Sequence, residues 1–296
     1  MKKASTYIFS LILSVLMVFA IIGTLILAVV KISVSENSAV KITEKKNISN
    51  LVYSQLEKYY NEKYYSSGIP SEVYMGALNE DVIENIMKAQ IKSAFDRKDY
   101  NYKDSDISGV EENLEKFFSS YADENDIEKD SKYNKKLENA KDNAKKVISD
   151  YCDVYKINTL KSQGINGKIY KILDILQFVF TAALATVGIV AVLLILFNIK
   201  EISTFLYWLG ISCLVSGVMG SIPCIYLIVS NYFGSFTIKQ PHIFMTYTGA
   251  LNGMTEYFLI FSICTAVFGI FLITAYAVAV AKSKDKTLNQ NTKIVK

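Results

Sequence analysis

A chain of 296 residues that is 51% hydrophobic, with a formal net charge of +4, has room for more than one unit, and its charge is too small to mark a nucleic-acid-binding protein. Arg97 is the only arginine in the sequence, so a polyanion-binding surface built on forked guanidinium geometry is not indicated. One histidine and four cysteines without metal-ligand spacing exclude most His-based triads and metal centres.

The first predicted element is an apolar span. Tyr7 to Val30 carries no charge, and Ser10, Ser14 and Thr24 are its polar interruptions. About 20 apolar residues suffice to cross a bilayer core. Met1-Lys2-Lys3 would also suit a signal peptide, but the apolar run exceeds the usual signal length and Ile26 to Lys31 makes a poor cleavage site. Residues 1–31 are therefore read as a cytoplasmic N-terminus followed by a retained first span.

Residues 32–171 read as a charge-rich helical insert. It holds 22 Lys plus Arg against 24 Asp plus Glu and a single proline, Pro70. Leu51, Val52, Leu56, Tyr59 and Tyr60 recur at helical spacing, and a break follows from Ser66 to Pro70, with Pro70 placed as a first helical residue. Asn79 suits an N-cap for a helix carrying Ile83, Ile86, Met87, Ala94 and Phe95. Asp104, Ser105 and Asp106 mark the start of another, with Ile107, Val110, Leu114, Phe117, Phe118 and Tyr121 on its apolar stripe.

The longest insert helix is predicted from Ser131 to Ser162 as one unbroken rod, ended by Gly164 and Gly167. About 140 residues are enough to bury most of the surface of a self-standing domain. Cys152, alone in this stretch, reads as a small buried residue.

Three further spans occupy 172–281: Phe178 to Phe197, Phe205 to Val229 and Tyr257 to Ala281. An outer loop, 230–256, separates the last two, and 282–296 is a basic tail. With the N-terminus inside, the short inner pieces hold Lys2, Lys3, Lys200, Lys282, Lys284, Lys286, Lys293 and Lys296, whereas the outer loop holds only Lys239. Lysine in short flanks faces the cytoplasm, so both termini are expected inside and residues 32–171 outside. Trp208, Tyr232 and Tyr257 fit interfacial anchoring. Lysine, Asn, Ile and Tyr are abundant, a composition that suggests an AT-rich bacterial genome. The expected fold class is an all-α membrane protein of the cell membrane, with four transmembrane helices and a large helical extracytoplasmic domain inserted between the first and second.

Two constellations stand out. Ser212, Ser216, Gly220 and Cys224 recur every fourth residue in the third span, with Cys213, Gly217 and Ser221 in a parallel row. Such a face lets another helix approach closely in lipid, either within the bundle or as a docking face for a partner or a second copy. Asp174, Glu256 and His242 are expected near one outer membrane boundary, where two acids and a His would bind a cation or shuttle a proton if gathered. No catalytic fingerprint occurs, and no cofactor or metal is expected.

The order of one span, a large outer domain and three spans resembles the permease subunits of the macrolide-exporter and cell-division ABC families. Asn198-Ile-Lys-Glu-Ile-Ser203 followed by Leu209-Gly210 is similar to the inner loop by which such permeases meet their ATPase. The resemblance implies a transport component lacking its own ATPase. The inner loop is shorter than a coupling helix, and the insert lacks the strands of those outer domains. The favoured expectation is a non-enzymatic binding, sensing or assembly component, working with a membrane protein partner or as a homo-oligomer and able to meet an extracellular ligand or protein. A pore-forming oligomer is a further transport alternative, and a membrane enzyme using Asp174, His242 and Glu256 comes behind both.

Overall fold

The protein is represented by a computed structural model that describes the backbone of residues 2–294, and the side chains of 6–161, 163–165, 167–199 and 201–282. The described residues are helical throughout, with short connections and no strand. Two compact units result. One, the spanning unit, comprises Met1–Ser33, Tyr170–Ser235 and Leu251–Lys296; the other, the insert unit, comprises Val34–Ile169 and Phe236–Ala250.

The insert unit starts with α2 (Glu36–Lys45), α3 (Ile48–Ser67), α4 (Ser71–Met75) and α5 (Glu80–Phe95). Their limits are set by local chemistry. Gly68, at φ 69°, closes α3 in the left-handed conformation that glycine adopts without strain. Pro70 stands one residue before α4 rather than inside it. Asn79 caps α5 as expected, its side-chain oxygen accepting the Val82 N–H at 2.9 Å.

α6 (Ser108–Glu124) follows, and the Asp106 carboxylate accepts the Ser108 N–H. α7 (Ser131–Cys152) is capped by Asp130, which accepts from the backbone N–H groups of Lys132 and Tyr133. The core is assembled from residues four apart: Ile48, Val52, Leu56 and Tyr60 on α3, Val110 and Leu114 on α6, and Ala144, Ile148 and Cys152 on α7, joined by Ile83, Ile86 and Met87 of α5. Full burial of an Ile or Leu side chain contributes about 1.5–3 kcal/mol, so this stripe supplies most of the unit's cohesion.

The predicted Ser131–Ser162 rod is broken. α7 stops at Cys152, Asp153 leaves helical geometry, and Lys156 turns left-handed at φ 51° before α8 (Ile157–Ser162). The cause is Asp153. Its side chain is only 4% exposed, and its two oxygens accept the Ile157 and Asn158 N–H groups at 2.8 and 3.0 Å. A carboxylate that satisfies the backbone of a new helix start competes with continuation of the old one. Gly164, at φ 68°, ends α8.

The spanning unit contains α1 (Lys2–Ser33), α9 (Asn166–Phe197) and α10 (Ser203–Val229). α11 (Pro241–Ile294) supplies the first residues of its helix to the insert unit and the rest to the spanning unit. All four helices are long and apolar enough to cross a membrane. α1 and α10 are joined by hydrogen bonds between polar residues in apolar surroundings. Ser14 Oγ and Ser212 Oγ lie 2.8 Å apart, and Ser212 Oγ also donates to the Ser14 carbonyl at 3.0 Å. Asn198, just past the end of α9, ties that helix to α1 in the same way, its Nδ2 donating to Ser10 Oγ at 2.9 Å. Trp208 differs from the anchoring role expected of it. It is 5% exposed, packed with Met17, Ile21 and Leu194, and meets Tyr7 edge-on.

α10 and α11 meet through missing side chains. A Cβ on Gly269 would stand 2.6 Å from the Gly210 carbonyl oxygen, and one on Gly217 would overlap the Ser262 carbonyl and Ala266. Gly188 on α9 has no heavy atom within 4 Å of such a Cβ. The two glycines therefore separate packing from helix propensity. In detergent, Gly217→Leu should lower the thermal midpoint strongly, by the equivalent of about 2–3 kcal/mol or more from overpacking. Gly188→Leu should match or slightly exceed the parent, and equal effects at both positions would refute the close approach.

Candidate functional site

The small-residue face of α10 is taken up within the chain. Ser212, Cys213, Ser216, Gly217, Gly220 and Cys224 are buried. α1 covers Ser212 through Ser14, while Ser262, Ala266 and Phe258 of α11 lie against Gly217 and Gly220. Ser221 is half-buried and donates to the Gly217 carbonyl at 2.7 Å.

The expected boundary trio divides between the two units. Asp174 and Glu256 are exposed residues of the spanning unit. His242 belongs to the insert unit, where it is 1% exposed and tilts against Tyr151 with ring centroids 5.7 Å apart. Among the described residues no three His, Cys, Asp or Glu side chains lie close enough to hold a metal ion.

His242 is in that position because the expected outer loop, 230–256, is largely helix. A short turn, Tyr232–Ser235, leads to Pro241, where α11 begins. Ile243 is buried and Met245 packs on the insert core, while the Thr246 and Thr248 hydroxyls donate back to the carbonyls of His242 and Phe244. Tyr247 donates to the Tyr155 carbonyl at 2.8 Å, and Tyr155 in turn donates to the Ala39 carbonyl. At about 1.5 Å per residue the helix is ~80 Å long, far more than a bilayer core requires.

The insert core holds groups that elsewhere carry chemistry, and burial silences them. Cys152 is 1% exposed and burial pushes its thiol up, leaving it protonated and unreactive at neutral pH. Tyr60 and Tyr74 stack at 4.0 Å, and burial raises both phenols above the usual range. No nucleophile of this core is activated by these surroundings.

A cleft of about 580 Å³ opens at the end of the α6–α7 hairpin. Burial falls along both helices toward it. Val110 and Leu114 are fully buried on α6, whereas Phe117 and Phe118 are half-buried and Tyr121 is 54% exposed. On α7, Ala144 and Ile148 are buried, but Leu137 and Tyr133 are half-buried. Phe118 meets Tyr133 edge-on across the cleft at 6.2 Å, and Phe117 stacks with Tyr121 at 6.3 Å. Ile69 and Ala122 are its buried floor, Ile127 and Glu128 its lip, and Lys132 and Lys136 part of its α7 wall. The sequence stripe assigned these rings to the core. The overlooked signal was the connector from Asp123 to Asp130, where Ile127 is the single large apolar residue and too little material follows the aromatics to cover them. A second, shallower groove between α2 and α5 is bridged by Lys88, which pairs with Glu44 and Glu84.

Both ring nitrogens of His242 are buried without a hydrogen-bond partner. Burial, with the Lys156 charge nearby, pushes its pKa from 6.5 down to about 4. The unfolded chain therefore binds a proton between about pH 6.5 and 4 that the folded unit resists, so stability falls across that window as pH drops and levels off below it. The loss amounts to at most about 3 kcal/mol. His242→Phe should keep neutral-pH stability, because the imidazole makes no hydrogen bond to lose, and should flatten this part of the acid slope. Asp153, raised by burial, acts in the opposite direction in both proteins. The difference between their denaturation curves isolates the histidine, and superimposable acid slopes would refute its role. No family model, curated protein or solved structure matches this chain.

Proposed function

We propose that the protein is a non-enzymatic binding component of the cell membrane. Its four spans hold the helical insert unit on the outer face with both termini inside, and the α6–α7 cleft receives what it binds. The observation that carries this reading is the cleft itself, in which four aromatic rings are gathered and left half-covered. Its volume lies within the ~300–1,000 Å³ typical of ligand sites, and aromatic side chains such as Tyr and Phe are enriched where proteins recognise partners. Lysine placement in the short flanks supports the orientation. The suppressed thiol and phenols of the core support a role without covalent chemistry.

The test places photoreactive benzoylphenylalanine at Tyr121, in the cleft, or at Glu57, exposed on α3 and not part of the cleft lining. Irradiated intact cells should give a discrete adduct of reproducible mass at position 121 alone. Asn143→Cys in the same cells should react with an impermeant maleimide from outside, whereas Asp285→Cys should react only after lysis. Equal or absent adducts at 121 and 57 would overturn the binding role, and the reverse labelling pattern would overturn the orientation.

A further inference from the structure

We infer that the cleft takes an amphipathic anion, an aromatic or branched apolar body carrying one carboxylate. The inference rests on the binding reading above and gives it a ligand class.

The apolar part follows from the lining. Phe118 and Tyr133 present ring edges and faces over a floor of Ile69 and Ala122, and Tyr121 lies over half exposed at the mouth. Rings meet other rings edge-on or offset at the spacings found between these side chains, so a flat or branched apolar group fits where water now meets aromatic surface.

The charge follows from which ionic groups are already engaged. Lys129 bonds Asp123 and Ser119, and Asp130 is occupied in capping α7. Lys132 and Lys136 stand one helical turn apart on the same wall, both exposed, and among the described residues neither pairs with a carboxylate. Residues four apart project from the same side of a helix, so two ammonium groups face one region of the cleft. Lys132 also sits in the first turn of α7, where the helix dipole favours negative charge. Glu128 also lines the cleft and disfavours a second anionic group. One carboxylate, directed toward Lys132 and Lys136, is the charge this lining accommodates.

The full chain in lipid nanodiscs is examined by saturation-transfer NMR with 3-phenylpropionate, 3-phenylpropanol and 3-phenylpropylamine, protein-free nanodiscs serving as blank. The carboxylate should bind roughly tenfold more tightly than the alcohol, the amine should bind most weakly, and added salt should weaken only the carboxylate, as for partly exposed charges. Lys132→Gln with Lys136→Gln changes two exposed side chains and should bring the carboxylate to the level of the alcohol while leaving the alcohol unchanged. Phe118→Ala with Tyr133→Ala should abolish all three signals.

Equal binding of the three probes, or an unchanged carboxylate preference in the lysine variant, would overturn the anion class. Binding of none of them above the blank would overturn it as well. A photo-adduct at position 121 persisting beside either result would leave the binding role standing, and its absence would remove both.

Discussion

Close approach of helix backbones along α10 is the contact on which the spanning unit depends. Lipid tails are as apolar as leucine, so no hydrophobic force draws these helices together, and dispersion and hydrogen bonds must do so. Both need short distances. Gly210, Gly217 and Gly269 remove the side chains that would hold α10 and α11 apart, and Ser14 and Ser212 bring the α1 and α10 backbones within hydrogen-bond reach. Several other hydroxyls of the spans turn inward on their own helices. Thr24, Thr181, Thr186 and Thr265 each donate to the carbonyl four residues earlier, which hides a polar group that lipid cannot solvate.

The insert unit works by the opposite economy of forces. Apolar burial drives it, and its charges lie on exposed faces, with exposed pairs such as Lys116 and Glu112 that contribute little each. Its cohesion declines toward the end of the α6–α7 hairpin, where half-covered aromatics meet a polar connector. Core and cleft are thus two stretches of the same pair of stripes. One is covered by neighbouring helices and the other is left half-covered.

Much of this architecture was legible in the sequence wherever the cause was local. Asn79 capping α5, Ser131 opening α7, Gly68 and Gly164 closing their helices, and the four apolar runs all depend on side chains within a few residues. The readings that changed depend on distant partners. Asp153 breaks α7 because surrounding helices bury it over the start of α8, which spacing alone does not reveal. Pro241 to Ala250 belongs to the insert unit because Met245 packs on its core and Tyr247 bonds the backbone of Tyr155, 92 positions earlier. His242 was noticed as a polar residue near a membrane boundary, yet its neighbours turn out to be tyrosines. The cleft was hidden for a related reason: a helical stripe shows which side is apolar, not how far along its length a neighbour extends.

Cys152 has a consequence for how the molecule matures. It is the one thiol of the insert unit, fully enclosed and held in its protonated form. The unit therefore reaches its final shape without an oxidative folding step. An oxidising exterior and a reducing medium present it with the same task, since no crosslink has to form and the single thiol is out of reach of disulfide exchange. Its integrity is set by side-chain packing alone, so changes in ambient redox conditions pass it by.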